Sequence, residues 1–113
     1  MRVVVVWWDL TASAVGIDEL RGFLRDEAVE RFTGHPGLVL KTWISDREAN
    51  RWGAVFLWES AEAAARPIPP RAAELIGYPP THRAAFDVEA TVEGSHGLTA
   101  LAGLGLALDP AGA

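Results

Sequence analysis

The chain has 113 residues, half of them hydrophobic, with five tryptophans, no cysteine and a formal net charge of −5. That length fits one domain with a modest core, and an acidic balance without any run of Lys or Arg argues against nucleic acid and anionic membranes as partners. Lack of cysteine excludes disulfides, thiolate nucleophiles and cysteine-bound metals, while so much apolar area on so small a chain predicts a subunit interface or a cavity.

Arg2 to Trp8 is a β-branched run ending in tryptophans, the pattern of a central strand covered on both faces. It stops at Asp9, too short and too aromatic for a secretory h-region, so a cytoplasmic protein is expected. Leu10 to Gly16 has no period and reads as a loop. From Ile17 the period changes: Ile17, Leu20, Phe23, Leu24 and Ala28 recur at helical spacing, with Arg21, Arg25, Asp26, Glu27 and Glu30 opposite. Asp18 and Glu19 suit the first turn, Gly34 suits the C′ position, and Pro36 prevents resumption.

Gly37 to Glu59 reads as two strands, Leu38 to Ile44 and Arg51 to Trp58, joined by the polar turn Ser-Asp-Arg-Glu-Ala-Asn. Alternation sorts each strand into two faces. Val39, Lys41 and Trp43 oppose Leu38, Leu40, Thr42 and Ile44; Trp52, Ala54, Phe56 and Trp58 oppose Gly53, Val55 and Leu57. One face is aliphatic, and the other gathers aromatics around a single lysine. Ser60 suits an N-cap for a short helix over 61–66, which Pro67, Pro69 and Pro70 interrupt. A second short helix fits Arg71 to Ile76. A last strand is expected over 81–92, with Ala84, Phe86, Val88, Ala90 and Val92 on one face. Arg83, Asp87, Glu89, Thr91 and Glu93 make the other face polar, so that side is solvated or lines something polar. Residues 94–113 read as a loose short helix or arm covering apolar surface, on this chain or a partner. Their apolar run, Leu98 to Leu108, is too short to span a bilayer.

The order strand, helix, strand, strand, helix, strand predicts an α+β, ferredoxin-like βαββαβ domain over 1–93, with a four-stranded antiparallel sheet and helices on one face. The bare face then predicts a homodimer in which two sheets meet, a dimeric α/β barrel. There is no phosphate loop, nucleophile elbow or zinc-spaced His/Glu pair. His35, His82 and His96 are scattered, so no metal is expected. Length and strand order exclude a Rossmann unit for flavin or nicotinamide, so the expected cofactor is none.

Pro36-Gly37-Leu38, Lys41-Thr42-Trp43, Gly53-Ala54-Val55-Phe56-Leu57-Trp58 and Phe86-Asp87-Val88 together resemble the motifs of the YdhR-like monooxygenases. That family sits in the dimeric α/β-barrel superfamily beside antibiotic-biosynthesis monooxygenases and small polyketide cyclases. The resemblance spans roughly residues 3 to 93. The chain departs from the family pattern at Ala54, where glycine is usual, and at Phe56, where tyrosine is usual, and it carries Trp52 just before the motif. The resemblance implies the fold, a dimer, and a cofactor-independent monooxygenase of an aromatic or polyketide-like small molecule. A non-oxidative cyclase or isomerase in the same pocket, or a dimer that only binds a hydrophobic metabolite, stays open.

Chemistry without a cofactor needs an apolar pocket, a base or cation to favour a substrate carbanion, and exclusion of water. Lys41 is the first candidate, because a lysine desolvated among tryptophans loses basicity and can act as a base. A structural lysine in its place would pack its stem along Trp43 while its head reaches out to water, or would pair with Glu59 or Glu89. His82, titrating near neutrality, and Asp87, in the Phe-Asp-Val motif, are the other catalytic candidates. Solvated-loop and salt-bridge roles compete for them, with Arg83 or Arg71 as the partner of Asp87. Trp43, Trp52, Phe56, Trp58 and Phe86 are candidates to hold a planar substrate, or are core.

Overall fold

The computed structural model describes residues 1–109. Four strands, β1 (Arg2–Asp9), β2 (Leu38–Asp46), β3 (Arg51–Trp58) and β4 (His82–Asp87), form one antiparallel sheet in the order β2-β3-β1-β4. The βαββαβ order with β1 and β3 at the centre is the ferredoxin-like arrangement. A long helical segment crosses one face, comprising α1 (Ile17–Phe23), a π-helical turn (Leu24–Ala28) and α2 (Val29–Phe32). Short helices α3 (Ala61–Ala65) and α4 (Arg71–Ile76) lie on the same side.

The long helix shows how sequence sets this layer. The Gly16 amide donates to Glu19 Oε2 at 2.9 Å, closing its start, and Gly34, at φ +71°, ends it. Ile17, Leu20, Leu24 and Ala28 are buried against the sheet. Leu20, Leu24, Ala28 and Phe32 are four residues apart, which drifts by about 40° per step on a 3.6-residue helix. The Val29 amide reaches back to Leu24 O, five residues away, and this widened turn absorbs the drift. Periodicity placed the helix; the irregularity within it came from the structure.

Register decides which side chains face the helices. Arg83, Val6, Ala54 and Trp43 form one cross-strand row, and Ala85, Val4, Phe56 and Lys41 the next. The aromatic side of the hairpin therefore faces the helices, and the aliphatic side, with Val3, Val5, Leu40, Val55 and Leu57, is the uncovered one. A register shift between Leu38 and Leu40 corrects one expectation. Leu38 pairs with Trp58 and joins the core around Val4 and Phe56, so it shares the face of Lys41, while exposed Val39 is the extra residue of the bulge. The last strand is also shorter than the expected 81–92. It ends at Asp87 because β1 begins at Arg2 and offers nothing further to pair with, leaving Val92 95 % exposed.

The C-terminal arm turns once as a 3₁₀ segment at Leu98–Leu101 and then runs back over its own chain. Ala107 is buried beside Leu24, and its carbonyl accepts from Arg25 Nη1 at 3.0 Å. Residues 110–113 of the arm lie outside the described residues.

Gly53 sits where β3 passes closest to β1. A Cβ there would press on the Val6 carbonyl and come within 2.8 Å of Trp7 Cβ. Gly53→Ala is expected to destabilise the fold by about 1–3 kcal/mol through overpacking between the two central strands. Urea unfolding of the variant against the parent measures it, and an unchanged midpoint would contradict this packing.

Candidate functional site

The cleft between the sheet and the helices encloses about 480 Å³. Its floor is Val4, Val6, Ala54 and Phe56. Phe32 and Lys41 stand at one side, and the Pro-rich segment between α3 and α4 lies across the other. The cleft exists because the helix layer is discontinuous. Pro67, Pro69 and Pro70 keep the chain from continuing α3 across the sheet, while hydrogen bonds pin the end of α4 in place. Trp8 Nε1 donates to Tyr78 O at 2.8 Å, Ser13 Oγ donates to Ile76 O at 2.8 Å, and the Tyr78 hydroxyl donates to Asp9 O.

Lys41 is the only lysine of the chain. Its Nζ lies 3.4 Å from the centre of the Phe32 ring, 4.4 Å from Phe56 and 4.5 Å from Trp43. Neither Glu59 nor Glu89 pairs with it, and among the described residues no carboxylate comes within ion-pair distance. Burial lowers its pKa from 10.5 to about 7. The ring faces attract the ammonium and oppose that fall, at about 0.5–2 kcal/mol per contact. Loss of hydration prevails because three rings replace bulk water with nothing that accepts a hydrogen bond.

The rings hold one another as well. Phe32 meets Trp43 edge to face at 6.0 Å and Phe56 at 6.4 Å, and Phe56 stacks on Trp58 at 5.6 Å. His35 closes the group with its ring 5.7 Å from Trp58 and 5.3 Å from Phe32. Its backbone also shapes the turn before β2, accepting from Leu38 N at 3.1 Å.

Five of the eight site candidates thus meet in one place: Lys41, Trp43, Trp52, Phe56 and Trp58 all line the cleft. The other three do not. His82 stacks on Trp7 at 4.7 Å on the uncovered face. Phe86, opposite Val3, is on that face too and is 58 % exposed. Asp87 is on the helix side but beyond the end of the cleft, where its carboxylate accepts from Arg2 Nη1 at 2.8 Å; neither Arg83 nor Arg71 is its partner. Sequence reading missed Phe32 and the arginines of the cleft. For Phe32 a signal existed, since it follows Ala28 by four residues. Among the described residues no group of three or more His, Asp or Glu side chains could hold a metal ion, and no helix is long and apolar enough to cross a membrane.

No protein-family model matches the sequence, and no curated protein matches it either. Among solved structures, a variant of SnoaB, a cofactor-independent oxygenase from Streptomyces nogalater, superposes with a TM-score of 0.55 at 20 % identity. The match covers 82 % of this chain and 97 % of that one. The likeness is one of fold. It supports the ferredoxin-like architecture read from the order of the elements.

A single lysine makes its titration directly observable. After reductive methylation with labelled formaldehyde, the Lys41 resonance should titrate with a midpoint near pH 7 rather than 10.5. Between those values the unfolded chain holds a proton that the folded chain has released, so stability should rise with pH across that window. Lys41→Met should remove that component of the rise. A midpoint near 10 in the folded protein would show that the cage does not desolvate the amine.

Proposed function

We propose that this protein is a cofactor-independent monooxygenase of an aromatic or polyketide-like small molecule in secondary metabolism. The observation that carries the reading is Lys41, a lone amine poised near neutrality in an aromatic cage and open to a cleft of about 480 Å³. Among the described residues no carboxylate pairs with this amine, and it is half-buried among three rings rather than solvated. The fold likeness to a cofactor-independent oxygenase supports the same class.

The chemistry follows from an amine that can exchange a proton at neutral pH. A methylene made acidic by flanking aryl rings and a conjugated carbonyl gives its proton to the neutral Lys41 Nζ. The ammonium so formed lies beside the delocalised carbanion and stabilises it in a site from which water is held back. The carbanion passes one electron to dioxygen, and the two radicals join to form a carbon–oxygen bond. The peroxide takes the proton back from Lys41. Loss of water, with the second methylene proton and the distal oxygen, leaves a carbonyl. One oxygen atom ends in the ketone and the other in water, and the substrate supplies all the electrons. Trp43, Phe56 and Phe32 hold the flat ring system over the amine.

A second copy of the chain covering the uncovered face belongs to the same proposal. That face is about 19 by 23 Å, from four strands about 4.8 Å apart and about seven residues long. That projected area, about 440 Å², is roughly half of the 800 Å² per partner of a standard interface. Val3, Val5, Leu40, Val55 and Leu57 make its middle apolar, and its charged residues, Asp9, Arg51 and Asp46, lie together at one end. His82 and Phe86 then belong to the seam between copies rather than to the cleft.

Oxygen uptake with anthrone as substrate tests the activity. Lys41→Met should leave the fold intact and lower turnover by about a hundredfold, the scale of one electrostatic contact at a developing anion. Lys41→Arg should recover part of it at most, since a planar guanidinium that stays charged cannot accept the proton. Parent turnover should rise with pH through about 7 as the amine is freed. Undiminished uptake by folded Lys41→Met, or product formed without uptake of oxygen, would defeat the oxygenase reading. For the dimer, sedimentation at low micromolar concentration should give twice the chain mass, and Phe86→Glu should shift it toward monomer. A compact monomer for the parent chain would exclude the second copy.

A further inference from the structure

Although the chain is acidic overall, the charged residues lining its cleft are all cationic: Arg31, Lys41, Arg66, Arg71 and Arg83. Three of the arginines have part of their charge answered from just outside. Glu27 bridges Arg31 at 3.5 Å and Arg71 at 3.3 Å, and Glu62 lies 3.7 Å from Arg66. Arg83 has no such neighbour; among the described residues no carboxylate or hydrogen-bond acceptor meets its guanidinium. It stands on β4 at the opposite edge of the sheet from Lys41, on the cleft side, in the row that continues through Val6 and Ala54 to Trp43. The alternation of β4 already required its polar face to be solvated or to line something polar, and the register turns that face toward the helices.

We propose that the ligand of this cleft is a fused-ring aromatic carboxylate, with its ring system over Val6 and Ala54 and its acid group held by Arg83. This deepens the oxygenase reading by naming a substrate class for the same cleft, and rests on that reading for the role of Lys41. The two unpaired cations are separated across three strand spacings and one same-face step, about 16 Å between backbones. Both residues line the cleft, one at each edge of the sheet, and the positions between them in the Arg83 row, Val6 and Ala54, form the floor on which a flat ring system can lie. The small Ala54 stands there between the bulkier Trp52 and Phe56 on β3. Arg83 offers the planar fork that matches a carboxylate in two parallel hydrogen bonds. A cationic cleft in an anionic protein also concentrates such an acid while the remaining surface repels it. Arg83 is thereby a specificity-determining residue: it binds the end of the substrate that does not react, and so fixes which ring carbon lies over Lys41.

Two probes that differ only in charge test this, 2-anthracenecarboxylate and its primary amide, with binding read by quenching of tryptophan fluorescence. The acid should bind the parent protein about tenfold or more tightly than the amide, the scale of a hydrogen bond to a charged group. Raising salt from about 50 mM to about 500 mM should shrink that preference. Arg83→Gln, at an exposed position, should keep its melting temperature and lose the preference for the acid, while Arg83→Lys should keep part of it. Equal affinity of the parent for acid and amide, a preference that survives Arg83→Gln, or binding of neither probe would each overturn the proposal. Since no probe is turned over, these outcomes are separate from those of the oxygen-uptake assay. An acid site lost with Arg83 in a protein that consumes no oxygen would leave the carboxylate site standing and remove the oxygenase.

Discussion

The helix layer of this domain is too broken to cover a four-stranded sheet, and the bulky side chains of β3 are what bridge the difference. Trp52, Phe56 and Trp58 stand on one face of the same strand at every second position except one, and Ala54 is that exception. The three rings give the short helices α3 and α4 and the long helical segment something to rest on, since none of these reaches the sheet along its whole width. Ala54, the small residue between them, packs with Val4 and Ala63 and also forms part of the cleft floor. Core and cleft therefore meet at this residue. A larger side chain at Ala54 would crowd both, whereas thinning the rings would let the layers collapse.

Within that frame the Lys41 amine is an expense the fold does not need. Nothing in the packing of Phe32, Trp43 and Phe56 requires a charge among them, and an aliphatic side chain of the same length would fill the space without losing hydration. Cation–π attraction offsets only part of the cost. A poorly hydrated, unpaired amine facing an open space is what a reaction needs from a base and is a burden to a structural residue. The reverse holds at Asp87, Asp46 and Asp18, whose exposed pairs with Arg2, Arg51 and Arg47 serve the surface and touch nothing in the cleft.

Much of this could be read from the sequence, for reasons tied to particular residues. Strand parity grouped Lys41 with Trp43, and Trp52 with Phe56 and Trp58, within each strand; the pairing of Lys41 with Phe56 and of Trp43 with Ala54 then puts the two groups on one face. Parity failed at Leu38, where one extra residue reverses the face and no residue type announces it. It grouped Phe86 with Ala84 correctly, yet it could not say whether Phe86 and His82 face the cleft or the uncovered side. They belong to a strand whose pairing partner, and hence its orientation toward the helices, is set by β1 from the far end of the chain. The length of β4 was hidden for the same reason: its pattern continues to Val92, but a strand ends where its neighbour does. Arg83 was visible as part of a polar face. Only the register could say that this face lines a cleft.

The widened turn at Leu24–Ala28 separates two properties that a plain helix binds together, how long it is and which way its far end faces. Phe32 reaches the Lys41 amine because of its facing. A chain one residue shorter across this turn, wound as ordinary α-helix, would deliver the same ring to the same place. The widened turn is equivalent to one residue inserted into an ordinary helix, and loss of that residue would leave the facing of Phe32 toward Lys41 unchanged. Substitution of the ring itself has no such compensation.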